Sequence, residues 1–374
     1  MKQMSGETKA IVKPPFRADQ VGSLLRTAKI KEARIQLLQG VITQEALRTI
    51  EDEEIKRIVA KQKEVGLQSI TDGEFRRAYW HYDFLENLDG VEGYQAGEGI
   101  QFQGVKTKPH SIRVVDKIDF TGHPMLEDYR FLHKVVGDSH TAKMTIPSPN
   151  MLYFRDEVNQ NAYASEEEIF ADLAIAYQKA IQAFYDAGCR YLQIDDTSWS
   201  LFFSEASKEV IRAKGMEPAK LSVLFQECLN KALSNRPDDL IVTMHICRGN
   251  FRSTWVGAGG YDDVSEILFD GLDLDGLFLE FDDERSGSFE PLRYVKRKDL
   301  QLVLGLITSK FGELENPDDI KRRLDQAAKY VPYEQLCLSP QCGFASTEEG
   351  NVLSEEQQWD KLRHVVEIAN DVWK

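Results

Sequence analysis

The chain has 374 residues, of which 42% are apolar and 29% are charged, proportions that are typical of a soluble globular protein. Its 46 Lys and Arg residues against 61 Asp and Glu residues give a net charge of −15, which argues against a nucleic-acid backbone or an anionic membrane as the main partner. No apolar run approaches the roughly 18 residues that a membrane helix needs.

The N-terminus and the cysteines indicate the compartment. Residues 1–13 are polar and lack the apolar core of a signal peptide. The five cysteines are an odd number and are spread over the second half of a large chain, so they do not predict a disulfide framework. We therefore expect a reducing cytoplasm, where a Cys at a strand end indicates metal binding or reactivity.

The first part of the chain predicts two strands, one long helix and an insertion. The strands are predicted over residues 16–23 and 67–72, and apolar residues at helical spacing predict a helix over 43–65 that ends at Gly66. Residues 81–140 are rich in Gly and Pro. We interpret them as a long excursion on the side of the fold that carries the site, because long ordered loops are usually functional.

From Thr141 onward, strands alternate with helices. Further strands are predicted over 142–146, 191–194, 240–247, 276–281, 302–307 and 335–338. Helices are predicted over 165–187, 221–233, 262–269, 317–330 and 355–373. Eight strand candidates in this order predict an α/β protein, a (β/α)8 TIM barrel forming one domain over 1–374, with the insertion at 81–140 after strand 2. A doubly wound open sheet is the alternative, although no Gly-rich dinucleotide loop is found.

Six predicted strands end in polar residues that can carry chemistry. In chain order, these residues are Ser23, Glu74, Asp195, the pair His245 and Cys247, Glu280, and Cys342. Because a barrel gathers the carboxyl ends of its strands at one mouth, we expect all of them to converge there.

Four of these residues predict a metal site. His245 and Cys247 are two positions apart on a strand, so their side chains emerge on one side. Alone, such a pair is more often a core histidine and a buried thiol. Because Glu280 and Cys342 stand at the ends of two other predicted strands, metal binding becomes the favoured interpretation. Two Cys, one His and one Glu suit Zn²⁺. The remaining cysteines, which we interpret as small buried hydrophobic residues, are Cys189, Cys228 and Cys337.

Such a ligand set favours thiol chemistry. Two thiolates and a carboxylate make the metal a poor Lewis acid for hydrolysis, but the metal can hold another thiol as a thiolate. Glu74 and Asp195 could bind a substrate ammonium, and Ser23 with nearby backbone N–H groups could bind a carboxylate. Thiol, ammonium and carboxylate together describe an amino-acid thiol.

Over nearly its whole length, the sequence resembles the C-terminal catalytic half of cobalamin-independent methionine synthase. Besides the four metal-site residues, the resemblance rests on Asp-Gly-Glu-Phe at 72–75, Gln-Ile-Asp-Asp at 193–196 and Pro-Gln-Cys-Gly at 340–343. It implies a zinc-dependent barrel enzyme of the 5-methyltetrahydropteroyltri-L-glutamate–homocysteine S-methyltransferase type, which makes methionine. The implied zinc ligands are His245, Cys247, Glu280 and Cys342. The implied homocysteine contacts are the Val21 backbone and Ser23 for the carboxylate, and Glu74 and Asp195 for the ammonium.

The chain departs from the family pattern where the methyl donor binds. The N-terminal half that helps to hold polyglutamyl folate in the two-barrel form is expected to be absent. Tyr153 aligns with the family Trp that stacks on the pterin, Val105 lies near a family Arg, and Lys310 aligns with the proton-donating His. We therefore interpret Tyr153 as part of a methyl-donor pocket and Lys310 as a catalytic residue, with a folate or a corrinoid protein as donor.

Three other functions stay open at this stage. A zinc hydrolase would need an open coordination position and a base aimed at water. A non-catalytic barrel would bind an amino-acid thiol or store metal without turnover. A decarboxylase of the uroporphyrinogen type would need no zinc ligands and would carry a cationic pocket for many carboxylates.

Overall fold

The computed structural model describes residues 13–97, 109–254 and 257–374. The strands are β1 (Ser69–Ile70), β2 (Asp89–Gln95), β3 (His110–Asp119), β4 (Thr141–Ala142), β5 (Met144–Pro147), β6 (Glu157–Val158), β7 (Tyr191–Asp196), β8 (Ile241–Ile246), β9 (Gly276–Glu280), β10 (Gln301–Ile307) and β11 (Leu336–Pro340). The α-helices are α1 (Ala28–Leu38), α2 (Gln44–Glu64), α3 (Tyr82–Leu85), α4 (Met125–Val136), α5 (Glu166–Asp186), α6 (Glu205–Ala213), α7 (Pro218–Leu233), α8 (Pro317–Ala327) and α9 (Glu355–Val372). Short 3₁₀ turns cover Pro149–Phe154, Ser198–Phe202, Asp262–Val264, Glu284–Ser286, Glu290–Tyr294 and Tyr333–Gln335, and Ile267–Gly271 is a π-helical turn.

Parallel strands form the wall of a TIM barrel. Six of them pair in the order β11-β10-β9-β8-β7-β5, and β4, which directly precedes β5, pairs with β1. On the other side, Ala18 forms a parallel bridge with Leu338 of β11. The same N-terminal segment reaches the β1 side, where the Leu24 backbone N–H donates to the Gly73 carbonyl at 3.0 Å. The predicted (β/α)8 barrel is confirmed.

The first barrel strand is shorter than predicted. Of residues 16–23, Ala18 makes the bridge, while side chains provide much of the remaining pairing: Gln20 Nε2 donates to the Ser69 carbonyl at 2.9 Å, and Thr71 Oγ1 donates to the Gly22 carbonyl at 2.6 Å. Gly22 has φ +137°, a backbone conformation outside the extended region, which ends regular strand geometry there.

A buried ion pair fixes this N-terminal segment inside the barrel. Lys143 Nζ lies 3.4 Å from Asp19 Oδ1, and Tyr191 OH donates to Asp19 Oδ2 at 2.9 Å. Lys143 also donates to the Gln20 carbonyl. Because residues 19 and 20 are anchored at this depth, the backbone that follows emerges at the mouth of the barrel.

The insertion is more regular than predicted. β2 and β3 are antiparallel, and β6 joins β3 in parallel, so the three strands form a small separate sheet. α4 then returns the chain to β4, and it takes the place of a barrel helix. The Gly and Pro content of 81–140 obscured α4, although its buried residues Met125, Tyr129, Leu132 and Val136 have helical spacing. Part of the insertion, 98–108, lies outside the described residues.

Residues 262–269 are helical throughout, as predicted, but they begin as a 3₁₀ turn and pass into the π turn. Helix α6 was not predicted. Helix α5 begins with half of a capping box: Ser165 Oγ accepts from the Glu168 backbone N–H at 3.4 Å, whereas the Glu168 carboxylate accepts from the Ala164 backbone N–H. No helix in the described ranges is long and apolar enough to cross a membrane.

Helix α9 begins with a complete capping box. Ser354 Oγ accepts from the Gln357 backbone N–H at 3.1 Å, and Gln357 Oε1 accepts from the Ser354 backbone N–H at 2.9 Å. We expect Ser354→Ala to lower the free energy of unfolding by about 1 kcal/mol, because it removes the acceptor for one helix N–H group. Urea unfolding measures the change. Ser139→Ala, in an exposed turn, is the control, and equal stability of the two variants would contradict the cap's contribution.

Candidate functional site

The four predicted metal ligands meet at the carboxyl ends of β8, β9 and β11. One ligand atom each from His245, Cys247, Glu280 and Cys342 lies within 4.8 Å of all the others, and all four residues are buried. The two sulfurs, Cys247 Sγ and Cys342 Sγ, are 3.6 Å apart. A cation 2.3 Å from each of two sulfurs at a tetrahedral angle separates them by about 3.8 Å. The spacing of the two sulfurs therefore fits one shared zinc ion.

Hydrogen bonding around the cluster leaves ligand atoms free. Both ring nitrogens of His245 and the Glu280 Oε2 atom are buried without a hydrogen-bond partner among the described residues. Glu280 Oε1 accepts from the Arg248 backbone N–H at 2.8 Å and from Asn250 Nδ2 at 2.9 Å, which fixes the carboxylate. Buried polar atoms are normally paired, so a cation shared by these atoms accounts for their arrangement.

In the metal-free cluster the pKa of one proposed ligand is raised and that of another is lowered. Burial raises the pKa of Glu280 to about 8. The hydrogen bond with Cys342, and then the charge of the nearby His245 imidazole, lower the pKa of Cys247, while the pKa of Cys342 is raised, so Cys247 is the first of the two thiols to ionise. The Gly249 backbone N–H also donates to Cys247 Sγ at 3.3 Å. The loop after β8 therefore supports a thiolate at residue 247.

A second group of predicted residues lies beside the cluster. Val21 and Ser23 line the same cavity as His245, Cys247 and Cys342. Ser23 is held against the loop after β11, where its carbonyl accepts from the Phe344 backbone N–H at 2.9 Å. A Cβ on Gly343 would lie 1.9 Å from Ser23 Oγ, so only glycine at position 343 allows this close approach.

Glu74 and Asp195 add two buried carboxyl groups to the cavity wall. Glu74 has φ +59° and its Oε1 accepts from Thr145 Oγ1 at 2.8 Å and lies 3.3 Å from Arg77 Nη1, while Oε2 has no hydrogen-bond partner in the described part of the chain. Asp195 Oδ1 accepts from Gln193 Nε2 at 2.7 Å. Burial raises the pKa of Glu74, and it raises that of Asp195 to about 7. Both groups are prepared to accept a cation.

The cavity extends from the cluster to an aromatic wall. Its volume is about 440 Å³. Besides His245, the ring-bearing residues that line it, here called the aromatic wall, are Tyr79, Trp80, His81, Tyr82, His110, Phe154 and Phe251. The loop of residues 79–82 is held next to the Cys342 loop, because the Trp80 backbone N–H donates to the Ser346 carbonyl at 3.1 Å. Sequence reasoning did not assign this wall, although the run Tyr-Trp-His-Tyr at 79–82, which begins five residues after Glu74, was a usable signal.

Tyr153 and Lys310 do not line the described cavity. Tyr153 is buried, and its ring lies 5.7 Å from that of Phe225. The Lys310 side chain is 3% exposed and pairs with Asp282. Val105 lies outside the described residues. The structure therefore brings eight of the ten predicted site residues together and places these two elsewhere, and Tyr153 as donor pocket and Lys310 as acid stay predictions.

Comparisons with known proteins show the family to which the chain belongs. A family model for the catalytic domain of cobalamin-independent synthase matches residues 16–371. Over 363 residues the chain is 66% identical to "Uncharacterized protein YxjG" of Bacillus subtilis (strain 168), covering 97% of this chain and 96% of that one. A Listeria monocytogenes crystal structure, assigned provisionally as a vitamin-B12-independent methionine synthase, is 52% identical with a TM-score of 0.80, covering 96% and 98% of the two chains.

A more distant structure shares the fold. A B12-independent methionine synthase from Shewanella sp. W3-18-1, in complex with selenomethionine, is 19% identical with a TM-score of 0.71, covering 94% of this chain and 96% of that one. Since the family model spans residues 16–371, the chain belongs to the cobalamin-independent methionine synthase catalytic-domain family.

Proposed function

We propose that this protein is a zinc-dependent methyltransferase that methylates the thiol of homocysteine to give methionine. The observation that carries the proposal is the placement of two thiols, an imidazole and a carboxylate beside a cavity whose adjoining wall holds Ser23, Glu74 and Asp195. Membership of the family supports the same activity. The presence of selenomethionine, the selenium analogue of the proposed product, in the Shewanella protein is consistent with it.

The proposed metal ligands are His245, Cys247, Glu280 and Cys342. Zinc held there would keep a coordinating substrate thiol deprotonated at neutral pH. The thiolate sulfur would then bond to the methyl carbon while the bond between that carbon and its carrier breaks, and the electron pair would leave with the carrier. The chain's role is to bring the substrate sulfur and the methyl carbon into line and to keep water out of the buried cluster.

The wall beside the cluster suits the amino-acid end of homocysteine. Glu74 Oε2 and Asp195 are proposed to accept hydrogen bonds from the substrate ammonium, which would stabilise both carboxylates in their charged form. Ser23 and the backbone at Val21 are proposed to position the carboxylate. In the described lining Arg248 is the one Arg or Lys side chain, which disfavours a decarboxylase substrate with many carboxylates.

The aromatic wall leaves room for the methyl donor, which is either a folate or a methyl group delivered by a corrinoid protein. We expect low turnover with monoglutamyl 5-methyltetrahydrofolate, because the family's pterin-stacking and proton-donating positions carry Tyr153 and Lys310 here and both lie off the cavity. The measurement is methionine formation from homocysteine with each donor in parallel. Turnover with neither donor, in zinc-loaded protein, would refute the methyltransferase assignment.

Thiol binding has a test of its own. Homocysteine is expected to change the absorption of the cobalt-substituted protein, because a new sulfur ligand alters the ligand field. Homoserine, which has a hydroxyl in place of the thiol, is the matched control and should leave the spectrum unchanged. An unchanged spectrum with homocysteine would favour a hydrolase or a metal-storage barrel instead.

Glu74→Gln tests the ammonium site. We expect KM for homocysteine to rise about 10- to 100-fold, because a charge-assisted hydrogen bond contributes about 1.5–3 kcal/mol. The zinc content should stay at the wild-type level. Glu53→Gln, on the exposed face of α2, is the control. A wild-type KM in Glu74→Gln would remove Glu74 from the substrate site.

A further inference from the structure

Arg248, next to the proposed ligand Cys247, is a buried arginine that makes no ion pair with a carboxylate in the part of the chain that the structure describes. The Arg248 side chain is fully buried, and its guanidinium carbon is 4.6 Å from the Phe203 ring centre and 4.8 Å from the Tyr261 ring centre. Nη1 donates to the Gly259 carbonyl, but Nε and Nη2 have no acceptor among the described residues. Aromatic faces attract a cation, yet a buried charge without an opposite charge remains costly. The position therefore calls for a compensating negative charge.

Arg248 is coupled to the ligands by its backbone and by a ring that it contacts. It follows Cys247 in the chain, and its backbone N–H donates to Glu280 Oε1 at 2.8 Å. Tyr261 OH, from the second ring, donates to the Glu280 carbonyl at 3.2 Å. One residue thus touches two of the four proposed ligands and also lines the cavity.

Two neighbouring buried acids have cations of their own, whereas Asp195 makes no ion pair among the described residues and is the acid proposed for the substrate ammonium. Glu74 is paired with Arg77, and Asp282 is paired with Lys310. The cluster itself is different: two thiolates and one carboxylate bring three negative charges to a dication and a neutral imidazole. The loaded centre would carry one net negative charge in a site that excludes water.

We propose that Arg248 is the fixed counter-cation of the metal centre, a positioning residue whose buried guanidinium balances the single negative charge of the zinc-loaded cluster. The proposal rests on the zinc part of the function proposed above and is independent of methyl transfer. In this arrangement, the cation is costly in the metal-free protein and favourable in the loaded one. Arg248 thereby links metal uptake to stability.

The test compares zinc affinity in Arg248→Met and Arg248→Lys. Met fills the slot between the two rings without charge, and Lys keeps the charge without the planar fork. We expect Arg248→Met to weaken zinc binding about 10- to 100-fold, the usual effect of removing a residue that supports metal ligands. Arg248→Lys should bind zinc more tightly than Arg248→Met. Competition with a chromophoric chelator gives the dissociation constants, and Arg236→Met, remote from the cluster, is the control.

Thermal melting separates charge from packing. If Arg248 is the counter-cation, Arg248→Met melts no lower than wild type without metal, and zinc raises its melting temperature by less. A residue needed only for packing would lower the melting temperature in both states, and that result would overturn the proposal. Equal zinc affinity of Arg248→Met and wild type, or of Arg248→Lys and Arg248→Met, would also overturn it. If wild type itself binds no zinc, the metal assignment and this inference both fail, whereas zinc binding without methyl transfer leaves the inference standing.

Discussion

Replacing Cys342 by Ser is expected to lower zinc affinity by more than about 100-fold, the upper end of the effect of losing a residue that only supports the ligands. The serine hydroxyl stays protonated at neutral pH and is a poor substitute for a thiolate on zinc. Methyl transfer should fall in parallel, because the substrate thiol would no longer be held as a thiolate. Metal analysis of the purified variant and a zinc titration measure both effects.

Cys247→Ser should behave in the same way, since its sulfur is 3.6 Å from that of Cys342. Cys228→Ala is the matched control, because Cys228 is buried within α7 and away from the cluster. It should keep full zinc occupancy. Full zinc occupancy in both serine variants would remove these residues from the metal site.

Lys310→Met is expected to lower the free energy of unfolding by about 1.5–3 kcal/mol, because the buried Asp282 carboxylate loses a charge-assisted hydrogen bond and keeps only the more distant Arg285 Nη2, 3.8 Å away, among the described residues. In the double variant Lys310→Met/Asp282→Asn, most of that loss should be recovered. We expect the folded double variant to retain methyl transfer within about tenfold of wild type with every donor, since a positioned acid contributes about 10²- to 10⁴-fold and the Lys310 side chain does not line the described cavity. Urea unfolding and parallel donor assays measure the two effects.

The donor assays discriminate sharply between the two roles of Lys310. A loss of 10²-fold or more with methyltetrahydrofolate, but not with a corrinoid donor, would identify Lys310 as the acid that protonates the departing folate nitrogen. Arg323→Met serves as the control, because Arg323 is a half-buried cation near the same aspartates.

The strand ends were predictable because parallel strands leave strong local patterns. Apolar runs such as 240–247 and 276–281 are buried on both faces and are bounded by charged or turn residues, so the end of each strand can be located in the sequence. The barrel then brings Glu280 and Cys342 beside His245 by topology alone. This is why the members of a cluster that spans nearly a hundred residues of sequence could be predicted one strand at a time.

Features that depend on tertiary contacts escaped prediction. The segment at Ala18 has a single bridge, because hydrogen bonds from the side chains of Gln20 and Thr71 replace backbone hydrogen bonds between strands. The spacing of apolar residues in the sequence does not indicate such a replacement. Helix α4 was hidden by its Gly-rich surroundings. Lys310 was aligned with a catalytic position, yet its partner Asp282 belongs to the loop after another strand, and only packing shows that the two side chains pair.

The bridge between Ala18 and Leu338 closes the barrel by pairing its first segment with its last strand. During synthesis on the ribosome, the first barrel segment must wait for almost the entire chain before its neighbour exists. Cys342 emerges four residues after Leu338, so the last proposed metal ligand and the last strand become available together. Until then His245, Cys247 and Glu280 form an incomplete set on an open sheet. We therefore expect all four proposed ligands to be able to hold zinc together only once the barrel has closed, so that metal binding would accompany the last step of folding.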